Sequence, residues 1–117
     1  MFLKEGSKYR MVNNIISKGQ FESIMEKMQG QSAWLKIYTD IINVDFFYPK
    51  LEFLIFINGK YQFGDGDFDE EETRNQNIII DKKDIYRIHR DEFSMTLDNE
   101  YITITMVDGT TIYVSSS

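Results

Sequence analysis

Leu51-Glu52-Phe53-Leu54-Ile55-Phe56-Ile57-Asn58-Gly59-Lys60-Tyr61-Gln62-Phe63 is the stretch whose reading decides the fold. Asn58 and Gly59 tolerate the positive φ angles of a tight type I′ turn, so the run reads as a β-hairpin with Leu51 to Ile57 returning as Lys60 to Phe63. Leu51, Phe53, Ile55 and Ile57 fall on one face of the first strand and Leu54 and Phe56 on the other. That pattern predicts a strand covered on both sides by a helix or another layer.

Upstream, Ala33 to Thr39 and Ile42 to Tyr48 favour extended chain, and Pro49 stops the second segment from continuing through a central ladder. Before them lies the strongest helix signal. Ser17 is placed to cap the Gln20 amide while Gln20 reaches back to Ser17, and Ile16 and Phe21 flank that cap as a hydrophobic staple. Phe21, Ile24, Met25 and Met28 then recur on one helical face, with Glu22, Glu26 and Lys27 opposite and Gly30 as the stop.

Downstream, a strand is expected over Asn77 to Asp81, followed by a meander of Ile85 to His89, Phe93 to Leu97, Tyr101 to Val107 and Thr110 to Val114. Asp98-Asn99 and Asp108-Gly109 are its turns. No Pro/Gly-rich linker divides the chain and no repeat is visible, so residues 1–117 read as a single compact α+β domain. Its expected form is one short N-terminal amphipathic helix packed on a predominantly antiparallel sheet, with a partly rolled barrel as a variant of the same sheet. Strand order cannot be read from the pattern.

The 117 residues include nine Phe, seven Tyr and one Trp, which supply enough apolar surface to fold without a metal or a disulfide. The absence of cysteine removes thiol chemistry and fits a reducing cytoplasm. Lys4, Glu5, Lys8 and Arg10 interrupt the segment where a secretion signal needs an apolar run. The longest oily stretch falls well short of the ~20 residues that span a bilayer as a helix. Charge is unevenly placed. Residues 1–60 hold eight Lys/Arg against six Asp/Glu, whereas residues 61–117 hold five against thirteen, so the halves carry +2 and −8. A half of that sign repels phosphate backbones and attracts basic protein surfaces.

The densest acidic run is Asp65, Asp67, Asp69, Glu70, Glu71 and Glu72, within a surface loop expected over 65–76. Alternating carboxylates suit a hard cation such as Ca²⁺. The spacing, however, puts Glu70 where a calcium loop needs its sharp-turn glycine and Gln76 where it needs its bidentate glutamate. A hydrated solubilising loop is the plainest reading, and a docking surface for a Lys/Arg-rich partner is the functional one.

Other chemistry is weaker. His89 with Asp84, Asp91 or Glu92 and Ser94 would make an acid–base or nucleophilic set, yet no nucleophile elbow or oxyanion hole is encoded. No phosphate loop, zinc-ligand cluster or dinucleotide fingerprint is present, so no cofactor is implied. Arg87, His89 and Arg90 could hold a phosphate, but pairing with neighbouring carboxylates explains them more simply. A nucleic-acid platform would need outward aromatic rings flanked by these cations.

Most aromatic residues are expected in the core. In Phe46-Phe47-Tyr48, strand alternation turns Phe47 away from Phe46 and Tyr48, so one side of this trio reaches a surface and can anchor a partner. The sequence therefore points to a small acidic interaction or regulatory module. It would bind a heterologous protein of basic or mixed polarity and act by surface occlusion or by stabilising one conformation, as an inhibitor does. A scaffold subunit, a small enzyme using His89, and a calcium-binding or nucleic-acid-binding domain are the alternatives.

Overall fold

The computed structural model describes residues 14–66, 77–91 and 100–116. The helix α1 (Lys18–Met28) begins as its capping signal requires. The Gln20 amide donates to Ser17 Oγ (3.1 Å) and the Ser17 amide donates to Gln20 Oε1 (2.8 Å). Phe21, Ile24, Met25 and Met28 are buried along one face, and Gly30 takes φ +80° just beyond the end.

Among the described residues nine strands form two antiparallel sheets. The larger contains β1 (Ile15–Ile16), β2 (Ala33–Tyr38), β3 (Asn43–Tyr48), β7 (Ile85–Arg90), β8 (Tyr101–Met106) and β9 (Thr111–Ser116), in the order β1-β7-β8-β9-β2-β3. The smaller contains β4 (Leu51–Ile55), β5 (Lys60–Asp65) and β6 (Ile78–Asp81) in sequence order. A 3₁₀ turn at Lys82–Asp84 links β6 to β7. The fold is the mixed α+β arrangement expected, with the short helix on antiparallel strands. Among the described residues β1 and β3 are the edges of the larger sheet, so the strands lie in two sheets instead of rolling into one barrel.

One core joins the layers. Phe21 of α1 meets Phe53, Tyr61 and Phe63 of the smaller sheet with ring centroids 5.4–6.4 Å apart. Leu35, Ile88, Ile102, Ile104, Ile112 and Val114 supply the inner face of the larger sheet to the same cluster. The outer edge of β4 is closed by the end of the helix. The Gln29 side chain donates to the Phe53 carbonyl and accepts from the Phe53 amide, while Gly30 donates to the Leu51 carbonyl and Leu51 donates to the Gln31 carbonyl. The primary amide of Gln29 thus stands in for a strand residue, satisfying backbone groups that an edge would leave open.

Two readings of the opening hairpin need correction. Gly59 donates to the Phe56 carbonyl (3.0 Å) and Phe56 donates to the Lys60 carbonyl (2.9 Å), which closes a three-residue loop, Ile57-Asn58-Gly59, instead of a two-residue type I′ turn. Gly59 takes φ +85° as the left-handed residue that ends such a loop. The β8–β9 loop repeats the device, with Gly109 donating to Met106, Met106 donating to Thr110, and Gly109 at φ +94°. Nor is the first strand covered along its length. Leu51 and Phe53 are buried, but Leu54, Ile55, Phe56 and Ile57 are exposed, because the hairpin extends past the helix.

The expected strand over Phe93 to Leu97 and the Asp98-Asn99 turn lie outside the described residues. So does the acidic segment from Asp67 onward.

Candidate functional site

Strand alternation gives the larger sheet two unlike faces. The inner face is largely apolar and is buried through its centre. On the outer face, paired registers set Ile15, His89, Thr103, Tyr113, Lys36 and Asp45 in one row across six strands. Beside it run Tyr101, Ser115, Trp34 and Phe47, and on the other side Arg87, Thr105, Thr111, Tyr38 and Asn43.

Five aromatic side chains therefore share this face. Trp34, Phe47, Tyr101 and Tyr113 are each 37–40% exposed, where Leu35, Tyr48, Ile102 and Val114 beside them on the same strands are buried. The rings lean on one another: Trp34 and Phe47 are 4.9 Å apart between centroids, and Tyr38 meets Tyr113 edge-on at 5.2 Å. Such pairing holds these four rings in place while leaving their rims to solvent. Between them Lys36, Tyr38, Asp91, Tyr101, Tyr113 and Ser115 border a shallow cavity of about 370 Å³. The formal charges on the face balance, with Lys36 and Arg87 against Asp45 and Asp91.

The alternation expected in the aromatic trio is present. Phe47 faces outward, Phe46 packs half-buried against the core, and Tyr48 is wholly buried, so of the trio Tyr48 alone has no accessible surface. Asp65 also departs from expectation. It ends β5 with only 5% of its surface exposed instead of opening a loop, and its charge adds to burial in raising the Tyr48 phenol well above its ordinary pKa. Asp67, Asp69, Glu70, Glu71 and Glu72 lie outside the described residues. Among the described residues no three His, Asp or Glu side chains gather as metal ligands.

His89 sits in the outer face between Ile15 and Thr103 in register. Burial and then the Arg87 charge lower its pKa, so among the described residues the charge acting on it is a cation and not an orienting carboxylate. Arg87 lies over the Tyr86 ring (4.7 Å to the centroid) and donates to its hydroxyl. Arg90 points elsewhere and forms a two-pronged pair with Glu100 (3.0 and 2.7 Å). The three residues do not make one phosphate cradle.

A second exposed apolar region lies at one end of the molecule. Ile41, Ile57 and Val107 occupy the tips of three β-hairpins, with Ile41 91% exposed. The Lys82 amide donates to the Gly59 carbonyl, the Val107 amide donates to the Asp84 carbonyl, and residues 39–41 and 108–110 border one cleft, so the tips lie near one another.

Comparison with protein-family models, curated proteins and solved structures finds no match to this chain. Among the described residues no helix is long and apolar enough to cross a membrane.

Proposed function

We propose that the protein is a small interaction module that binds a heterologous protein through the outer face of its larger sheet. The observation that carries this reading is the set of outward rings, Trp34, Tyr38, Phe47, Tyr101 and Tyr113, brought into adjacent rows by the strand order. Aromatic side chains bring large contact area at small entropic cost, and Thr103, Thr105, Thr111 and Ser115 between them offer adaptable hydrogen bonds.

The charge on the face distinguishes partner classes. Single-stranded nucleic acid also stacks on sheet-borne rings, but its affinity depends on cations along the backbone track. Here Lys36 and Arg87 are offset by Asp45 and Asp91, which favours a protein of mixed polarity. The −8 of residues 61–117, including Asp67, Asp69, Glu70, Glu71 and Glu72, would steer a basic region of that partner during approach. A sheet face of this kind would act by covering a partner's surface or by holding one of its conformations, the mode of an inhibitor or regulator.

Affinity capture with the full chain from its native host, with and without nuclease, tests the class. A protein that remains bound after nuclease treatment, and whose dissociation quickens when Trp34 or Tyr113 becomes Ala, supports it. An interaction that nuclease abolishes, or that ignores these replacements, contradicts it.

A further inference from the structure

Among the described residues the outer face ends at β3, and the turn before it sets that strand's hydrogen-bond phase. Thr39 donates to the Ile42 carbonyl (2.9 Å) across the β2–β3 turn. In an antiparallel ladder the bonded pairs recur every second residue, so Ile37/Val44, Leu35/Phe46 and Ala33/Tyr48 face each other with bonded backbones. Asn43, Asp45 and Phe47 then direct their N–H and C=O groups away from β2, and all three residues are exposed. This edge contrasts with that of β4, where Gln29, Gly30 and Gln31 occupy the same kind of groups.

We infer that β3 accepts an extended segment of the partner protein as a seventh, antiparallel strand, with Lys or Arg opposite Asp45; this inference rests on the binding role assigned to the outer face. Three exposed backbone positions in sequence suit strand addition, and side chains on the two faces of the added strand give it specificity. On the outer face a cation would meet Asp45, with a ring or β-branched residue beside Phe47. On the other face, aliphatic residues flanking the cation would cover Val44 and Phe46, which are only half-buried. Asp45 also selects against a second copy of this chain. In the antiparallel self-pairing that matches the three outward-bonding residues of each copy, Asn43 faces Phe47 and the two Asp45 side chains fall opposite each other, and like charges so placed are destabilising.

A fully randomised displayed-peptide library selected on the full-length protein tests the inference even before a partner has been captured. The expected winners alternate aliphatic residues around a central Lys or Arg. They should slow hydrogen exchange at the amides of Asn43, Asp45 and Phe47 in NMR spectra, and bind Asp45→Lys about tenfold more weakly. Exchanging the peptide cation for Glu should restore binding to that variant. Asp45→Asn, which keeps the size of the side chain, should give an intermediate loss, and circular dichroism checks that both variants fold. Enrichment of no peptide, or of peptides that leave those three amides unprotected, overturns the added strand. For a captured partner, sensitivity to Trp34 and Tyr113 replacement with no protection along β3 removes the edge pairing alone. Insensitivity to the ring replacements removes the binding face itself.

Discussion

The buried phenol of Tyr61 donates a 2.6 Å hydrogen bond to the Glu22 carboxylate, tying the start of β5 to the first turns of α1. Lys82 approaches the same carboxylate at 3.3 Å. The Tyr61 bond, followed by Lys82, holds the Glu22 pKa below its ordinary 4.5 despite the opposing effect of burial. A carboxylate with a lowered folded pKa contributes stability that is present above its unfolded value and lost as pH falls through the folded one. Tyr61→Phe should therefore lower stability at neutral pH by about 1–2 kcal/mol, as for a hydrogen bond to a charged, partly exposed acceptor. The gap from the parent should narrow as pH falls below 4.5. Urea denaturation at several pH values checks both the size and the sign.

Gln29 should matter more than its place after a helix implies. Gln29→Ala leaves the Phe53 amide and carbonyl without their partner in a partly buried setting, an expected loss of about 1–3 kcal/mol. Gln29→Glu can still accept from the amide but sets a carboxylate against the carbonyl, so it should recover little of the loss. Hydrogen exchange at Phe53 should quicken in both variants.

Gly59 and Gly109 hold positive φ with no atom within 4 Å of where a Cβ would stand. Substitution there meets backbone strain without a steric clash. Gly59→Val and Gly109→Val should each cost about 1 kcal/mol or more, with Asn milder than Val at either position. Thermal midpoints of the four variants provide the comparison.

The apolar hairpin tips serve as a contrast to the proposed face. Ile41→Thr, Ile57→Thr and Val107→Thr remove no core contact and should change stability by less than about 0.5 kcal/mol. Each should also leave partner affinity unaltered. Loss of binding in these variants would transfer the interaction to that end of the molecule.

The helix was legible because its determinants are local: Ser17 and Gln20 bond each other, and Phe21, Ile24, Met25 and Met28 need only helical spacing to share a face. Alternation alone set Phe47 on the opposite side from Phe46 and Tyr48, but not which of the two sides faces outward. Tyr101 and Tyr113 carried the same signal, since each alternates with isoleucine or valine along its strand. What alternation cannot supply is the neighbour of each strand. Only the order β7-β8-β9-β2-β3 places Tyr113 beside Lys36 and Trp34 beside Phe47, and that order depends on pairings between distant segments. The three-residue loops escaped for a related reason, because Asn-Gly and Asp-Gly suit both a two-residue turn and the last positions of a longer one. The buried setting of Asp65 had no local signal, since its acidic neighbours continue toward an exposed composition.

Hydroxyl-radical footprinting of the full-length protein, alone and bound to its captured partner, tests the central claim most directly. The claim predicts that oxidation of Trp34, Phe47, Tyr101 and Tyr113 falls together on binding, while Tyr86, Ile41, Ile57 and Val107 react as in the unbound protein. Unchanged oxidation of the four outer-face rings, with protection confined to the hairpin tips or to Tyr86, would contradict it.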